Sequence, residues 1–116
     1  MLQDVTTATL HTSLSALSMR QRVTANNIAN ISTPNFHAGK VSFEGALQQA
    51  LASGGDPADV SATVGVSLEP TREDGNNVNL DEETISSTDT QLRYQTSLRA
   101  LDNKYSLLKD VIRGGA

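Results

Sequence analysis

The chain has no cysteine and no tryptophan, only three prolines, and four aromatic residues in 116: Phe36, Phe43, Tyr94 and Tyr105. Without cysteine there is no disulfide framework, no thiolate metal site and no thiol nucleophile. A hydrophobic content of 37% with so few rings is little for a self-sufficient core at this length, so much of the apolar surface is expected to pack against something outside the chain. No apolar run approaches the ~20 residues of a membrane-spanning helix. The N-terminus has neither a basic stretch nor an apolar core, and no cleavable signal peptide is expected. Positive charge is scarce as well. The net charge of −4 argues against a nucleic-acid partner.

The motifs of common chemistries are also missing. His11 and His37 have no second ligand at helical or loop spacing. Asp74, Asn76 and Val78 begin like a calcium loop, but the third oxygen ligand is absent, and a start at Asn77 lacks the needed glycine and distal glutamate. Asp81, Glu82 and Glu83 are adjacent and face no common point on a helix, so they read as a helix start and not as an acid–base pair. Asn30-Ile31-Ser32 fits a glycosylation acceptor by composition, without a secretory signal to support it. There is no phosphate-binding glycine loop and no nucleophile elbow. No catalytic, metal-binding or cofactor-binding residue is expected, and no enzyme.

What is present is periodicity. Tyr94, Leu98, Leu101, Tyr105, Leu108 and Ile112 recur at spacings that alternate between four and three, with Leu92, Leu107 and Val111 widening the stripe. Acids at 81–83 suit a helix start, and Arg113 followed by Gly114-Gly115 suits its end. The spacing predicts a helix over 81–113. Leu10, Leu14, Leu17, Gln21, Thr24, Ile28 and Ile31 repeat the pattern with a polar middle, predicting a helix over 4–31 that stops before Thr33-Pro34. Two helices of roughly 40 and 50 Å outrun a globule about 35 Å across. The molecule should be elongated.

The expected fold is mainly α. Two long terminal helices pack as an antiparallel coiled-coil-like pair, with a short helix and a small β-hairpin or loop region between them. Three segments follow: an N-terminal helix in 1–32, a central region in 33–80 and a C-terminal helix in 81–116. Within the centre, Phe43, Ala46, Leu47, Ala50 and Leu51 predict a short amphipathic helix over 43–52. Val60 to Leu68 alternates apolar and polar residues and predicts a half-buried strand. Val78 and Leu80 repeat that alternation after the Asp74-Gly75-Asn76 turn and offer a hairpin partner. Residues 53–83 carry Arg72 alone against eight acids, while both terminal segments are slightly basic. The acidic stretch over 53–76 is therefore expected in solvent, at an outer surface or between neighbouring molecules near one; in any assembly of such chains, deleting 58–72 is expected to leave export intact and to weaken but not abolish assembly.

One stretch is more specific. Val23-Thr24-Ala25-Asn26-Asn27-Ile28-Ala29-Asn30-Ile31-Ser32-Thr33-Pro34-Asn35-Phe36 resembles the signature of bacterial flagellar rod and hook proteins, in which an Asn-Ile-Ala-Asn core leads into Thr-Pro-Gly-Tyr. Here Asn35 stands for the glycine and Phe36 for the tyrosine. Asparagine tolerates a left-handed backbone, so the turn is expected to survive. Phe43 to Leu51, Asp74 to Glu83, and Leu92-Arg93-Tyr94-Gln95 with Lys104-Tyr105 resemble the proximal rod members of that family. The chain is too short for the inserted domains of the distal rod and hook members.

The resemblance implies a structural subunit of the proximal rod, the drive shaft of the flagellar basal body, built by helical assembly through the terminal helices. It implies export by the flagellar type III apparatus without a cleaved signal, to the periplasmic or cell-wall space. The implied partners are further copies, rod proteins of the FlgC, FlgF and FlgG type, the adapter FliE and the export gate. The residues expected to carry assembly are Leu10, Leu14, Leu17, Asn26, Asn27, Ile28, Asn30, Thr33, Pro34 and Phe36, with Tyr94, Leu98, Leu101, Tyr105, Leu108 and Ile112. Helix capping is the plainer role of the three asparagines and is compatible with that one. The alternatives are the sister proximal rod protein FlgC, or a soluble helical adaptor or secretion chaperone, which would be folded and helical by itself.

Overall fold

Asp4 sits in an extended conformation and its carboxylate accepts the Thr7 amide at 2.8 Å, which caps the first helix, α1 (Val5–Ala29). In the computed structural model, which describes residues 4–114, five further elements follow. They are strand β1 (Gly39–Ser42), helix α2 (Glu44–Ser53), a 3-10 turn (Pro57–Asp59), strand β2 (Thr63–Val66) and helix α3 (Leu80–Gly114). The expected bounds of the three helices hold to within two residues. Gly115, half of the expected stop, lies outside the described residues.

The helices α1 and α3 run antiparallel. Asp4 pairs with Lys104 at one end, Gln21 Nε2 donates to Ser87 Oγ at 2.8 Å midway, and Asn27 Nδ2 donates to the Glu83 carboxylate at 3.1 Å at the other end. The molecule measures 67 × 27 × 14 Å, with a radius of gyration of 18.0 Å. A compact chain of this length would have a radius of about 13 Å. The predicted elongation is therefore present, and its cause is the helix length.

The core is small. Ala16 and Leu17 of α1 meet Phe43 and Leu47, with Val60 and Ala62 against them. Among the described residues, buried polar side chains are as numerous as buried apolar ones. Arg20 ties this core together. Its guanidinium grips both Glu44 carboxylate oxygens at 2.6 and 2.7 Å, donates to the Val41 carbonyl at 2.8 Å and lies 5.0 Å from the centre of the Phe43 ring. The fork holds Glu44 well below its ordinary carboxylate value, at about 2.

The small sheet differs from the sequence expectation in its partner. β2 pairs antiparallel with β1, Val41 opposite Val64 and Gly39 opposite Val66, and not with 78–80. Val78 is withdrawn from any ladder because its amide donates to Asn76 Oδ1 at 2.7 Å and its carbonyl accepts from Arg72 at 2.7 Å. Leu80 already begins α3. β2 is also exposed along its whole length, with Val64 and Val66 more than half exposed, so the half-buried reading of this strand is not met within the chain.

Candidate functional site

Two features of this fold have no counterpart in an ordinary self-contained domain. One is a polar junction at one end of the helix pair. The other is an apolar stripe on α3 that the chain covers only in part.

The junction forms where the segment after α1 meets the segment before α3. Three asparagines act as backbone clamps. Asn27, at 2% exposure, donates to the Gly39 carbonyl at 3.0 Å and accepts the Gly39 amide at 2.9 Å, binding α1 to β1 as one strand would bind another. Asn76, fully buried, donates to the Asn30 and Thr33 carbonyls at 2.8 Å each. Both carbonyls follow the end of α1 and also accept backbone amides, from Thr33 at 3.0 Å and Phe36 at 3.3 Å. Asn77 accepts the Ala38 amide at 2.7 Å and donates to the Ser67 and Glu69 carbonyls at 3.1 and 3.2 Å. The three amides thus join four stretches of chain through hydrogen bonds to backbone groups. Arg72 completes the clamp by donating to the Ile31 and Val78 carbonyls, which places a cation at the negative end of α1.

Backbone geometry fits these clamps. Asn35 has φ +62°, so the asparagine does take the left-handed turn expected of it. Gly75 has φ +82°, and a Cβ there would fall 2.3 Å from Asn35 Oδ1. The two turns are packed face to face, and only glycine fits at 75. α1 ends at Ala29, four residues before the Thr33-Pro34 stop, because Asn30 caps it.

The structure divides the residues expected to carry assembly. Asn27, Leu17 and Leu101 are buried within the chain. Leu10, Leu14, Ile28, Asn30, Phe36 and Leu108 are half-buried. Asn26, Thr33, Pro34, Tyr94, Leu98, Tyr105 and Ile112 are exposed. Asn30, Thr33 and Phe36 are brought to the junction by backbone groups and local side-chain bonds, such as Thr33 Oγ1 to Asn30 Oδ1 at 3.1 Å.

On α3, the side turned toward α1 is mostly polar: Glu83, Ser87, Thr90 and Ser97, then Leu101 and Lys104. The apolar heptad lies partly round the helix from that side: Leu101 is buried, Leu108 is half-buried and the Tyr105 hydroxyl lies 3.2 Å from His11 Nε2 of α1, while Leu98 and Ile112 turn outward. Hence Leu98 is 42% exposed, Leu107 65%, Val111 63% and Ile112 72%.

Asn76, Asn77 and Arg72 were not foreseen as site residues. Asp74-Gly75-Asn76 reads as a turn from sequence, and nothing local shows that its amides reach carbonyls more than 40 positions away. The doubled asparagine after Asp-Gly is the only trace.

An elongated helix pair, well satisfied at its polar junction and bare along its apolar stripe, is the build of a structural subunit that completes its packing against neighbours. Comparison with known proteins supplies the family. Residues 9–37, most of α1 and the first arm of the junction, match the family model described as flagella basal body rod protein. The chain is 35% identical over 118 residues to the flagellar basal body rod protein FlgB of Bacillus subtilis (strain 168), covering 91% of this chain and 92% of that one. It is 31% identical over 122 residues to FlgB of Escherichia coli (strain K12), covering 88% of each. A shorter match to FlgB of Borrelia hermsii is 54% identical over 41 residues. The chain belongs to the FlgB family of flagellar basal body rod proteins.

Proposed function

We propose that the protein is a structural subunit of the proximal rod of the flagellar basal body, assembling through α1 and α3. The observation that carries this reading is the uncovered stripe of α3. Leu98, Leu107, Val111 and Ile112 lie along one helix and are all more than a third exposed. Contiguous exposed apolar surface of this kind marks a site of interaction. Repeated contacts that do not close would build a helical shaft. Its neighbours would be further copies, rod proteins of the FlgC, FlgF and FlgG type and the adapter FliE, after passage through the export gate without a cleaved signal. No helix among the described residues is long and apolar enough to cross a membrane, which is compatible with a place in the shaft itself.

The test is a chromosomal deletion complemented with an epitope-tagged chain. The expected result is loss of motility without the gene, recovery with it, and tag in purified basal bodies. Normal flagella in the deletion strain would refute the reading.

A further inference from the structure

Asn27 holds both the amide and the carbonyl of Gly39, so at that residue β1 turns its hydrogen-bonding groups away from β2. Gly39 lies opposite Val66, and such a pair in an antiparallel ladder points outward on both strands. The neighbouring pair agrees. Ser67 donates its amide to the Ala38 carbonyl at 2.8 Å, which is the inward direction. Direction alternates along a strand, so Val64 and Val66 turn amide and carbonyl toward the far side of β2. That side is open. Among the described residues β1 is the only strand beside β2, and no other backbone group bonds Val64 or Val66.

The side chains leave the edge open as well. Val64 is 57% exposed, Val66 65% and Leu68 98%. From Val60 to Leu68 there is no charge and no proline, the usual guards of a free edge. Val66 and Leu68, with Lys40, Glu69 and Pro70, line a groove of about 530 Å³ beside it. Free backbone groups with alternate apolar side chains are what an added strand recognises.

Charge selects the kind of strand. Asp59 precedes the edge and Glu69 and Glu73 follow it, and none of the three is in an ion pair among the described residues. A second copy answers this poorly. Pairing antiparallel through the same edge, with Val64 opposite Val66, it would set residue 59 against residue 71 and bring Asp59 of each chain diagonal to Glu69 and Glu73 of the other. The strand β1 of a second copy has no edge to give, because β2 takes one side and Asn27 holds Gly39 on the other.

We propose that the outer edge of β2 takes an extended segment of a different protein as a third strand, apolar at alternate residues and carrying lysine or arginine at both ends. The proposal goes beyond the rod reading and does not depend on it.

The test places a photo-crosslinking phenylalanine at Gly65, where a Cβ meets nothing within 4 Å, in the full chain made in its own bacterium, and maps the joined peptide. The expected peptide belongs to another protein and has alternating apolar residues with a base on either side. Two substitutions accompany it. Val64→Pro removes one outward amide and spares the β1 ladder, whereas Val64→Thr keeps that amide. Both chains should melt with the parent. The proline should lower the cross-link yield about fivefold, the size of one lost hydrogen bond, and the threonine should retain it. Asp59→Lys combined with Glu69→Lys should abolish the cross-link. A cross-link to a second copy, or none at all, would overturn the proposal. So would a lower melting midpoint for Val64→Pro, which would mean that its amide is used within the chain, an equal loss of yield in both Val64 variants, or an undiminished yield with the acids reversed. Whether the chain is found in purified basal bodies is read separately and bears on the rod reading alone.

Discussion

Asn77 illustrates how single residues hold this fold. Its amide satisfies one buried N–H and two carbonyls on two other segments of the chain. Replacing it with alanine strands those groups, and Asn77→Ala should destabilise the chain by about 2–4 kcal/mol. Asn77→Asp keeps the shape and one acceptor but loses both donated bonds, so it should cost nearly as much. Urea unfolding of the two variants checks this, and a loss below 0.5 kcal/mol in both would show that the clamp is not needed. Gly75→Ala should be comparably harmful, since the left-handed turn and Asn35 both oppose a Cβ.

Two carboxylates add a pH dependence. Lys104 with the Thr7 amide holds Asp4 at about 2, and Arg20 holds Glu44 at about 2. Both values lie below those of the unfolded chain, so the stabilisation is complete above about pH 4.5 and is lost as pH falls toward 2. Both groups are solvent-accessible, so the Glu44 effect should stay under about 1 kcal/mol. Glu44→Gln should flatten part of the acid limb in a pH series of melting curves.

At the scale of the element, α3 carries two different faces that a hydropathy pattern merges into one. Leu101, at 6% exposure, belongs to the intramolecular seam, whereas Leu98, at 42%, does not. Leu101→Asp should therefore cost the isolated chain about 3 kcal/mol by burying an unpaired charge. Leu98→Asp should leave the monomer within about 0.5 kcal/mol of the parent and still abolish motility, because the charge would fall in the assembled interface. Circular dichroism melts beside swarming assays separate the two outcomes. Equal monomer losses from both substitutions would mean that Leu98 is buried within the chain.

At the scale of the whole molecule, the junction and the far end differ in how well they are held. The junction end has the clamps of Asn27, Asn76 and Asn77, while α3 beyond Lys104 passes the capped start of α1 at Asp4 with Leu107, Val111 and Ile112 exposed. Hydrogen exchange of the free chain should run as a gradient, slow at 27–39 and 76–90 and fast from 105 to 113. Uniform protection along α3 would contradict it. The structure gives the expected weakening of assembly on deleting 58–72 a further cause, within the chain itself. That segment contains Arg72 and the Ser67 and Glu69 carbonyls that Asn77 holds, so its deletion should unfold the junction.

Periodicity alone determined the three helices, their near-exact bounds and the elongated shape, because helix length and amphipathic spacing are local properties. It also exposed the shortage of apolar residues that points beyond the chain. The signature around Asn27 and Asn30 located the end of α1 and the left-handed turn at Asn35, since capping and turn chemistry act over three or four positions. Tertiary structure alone decided which partner β2 takes, which side of the α3 stripe faces α1, and that Asn76, Asn77 and Arg72 hold the junction. Those outcomes depend on hydrogen bonds between segments ten to more than forty residues apart. Carbonyl and amide groups are the same at every position, so nothing in the order of side chains marks which of them a distant asparagine will reach.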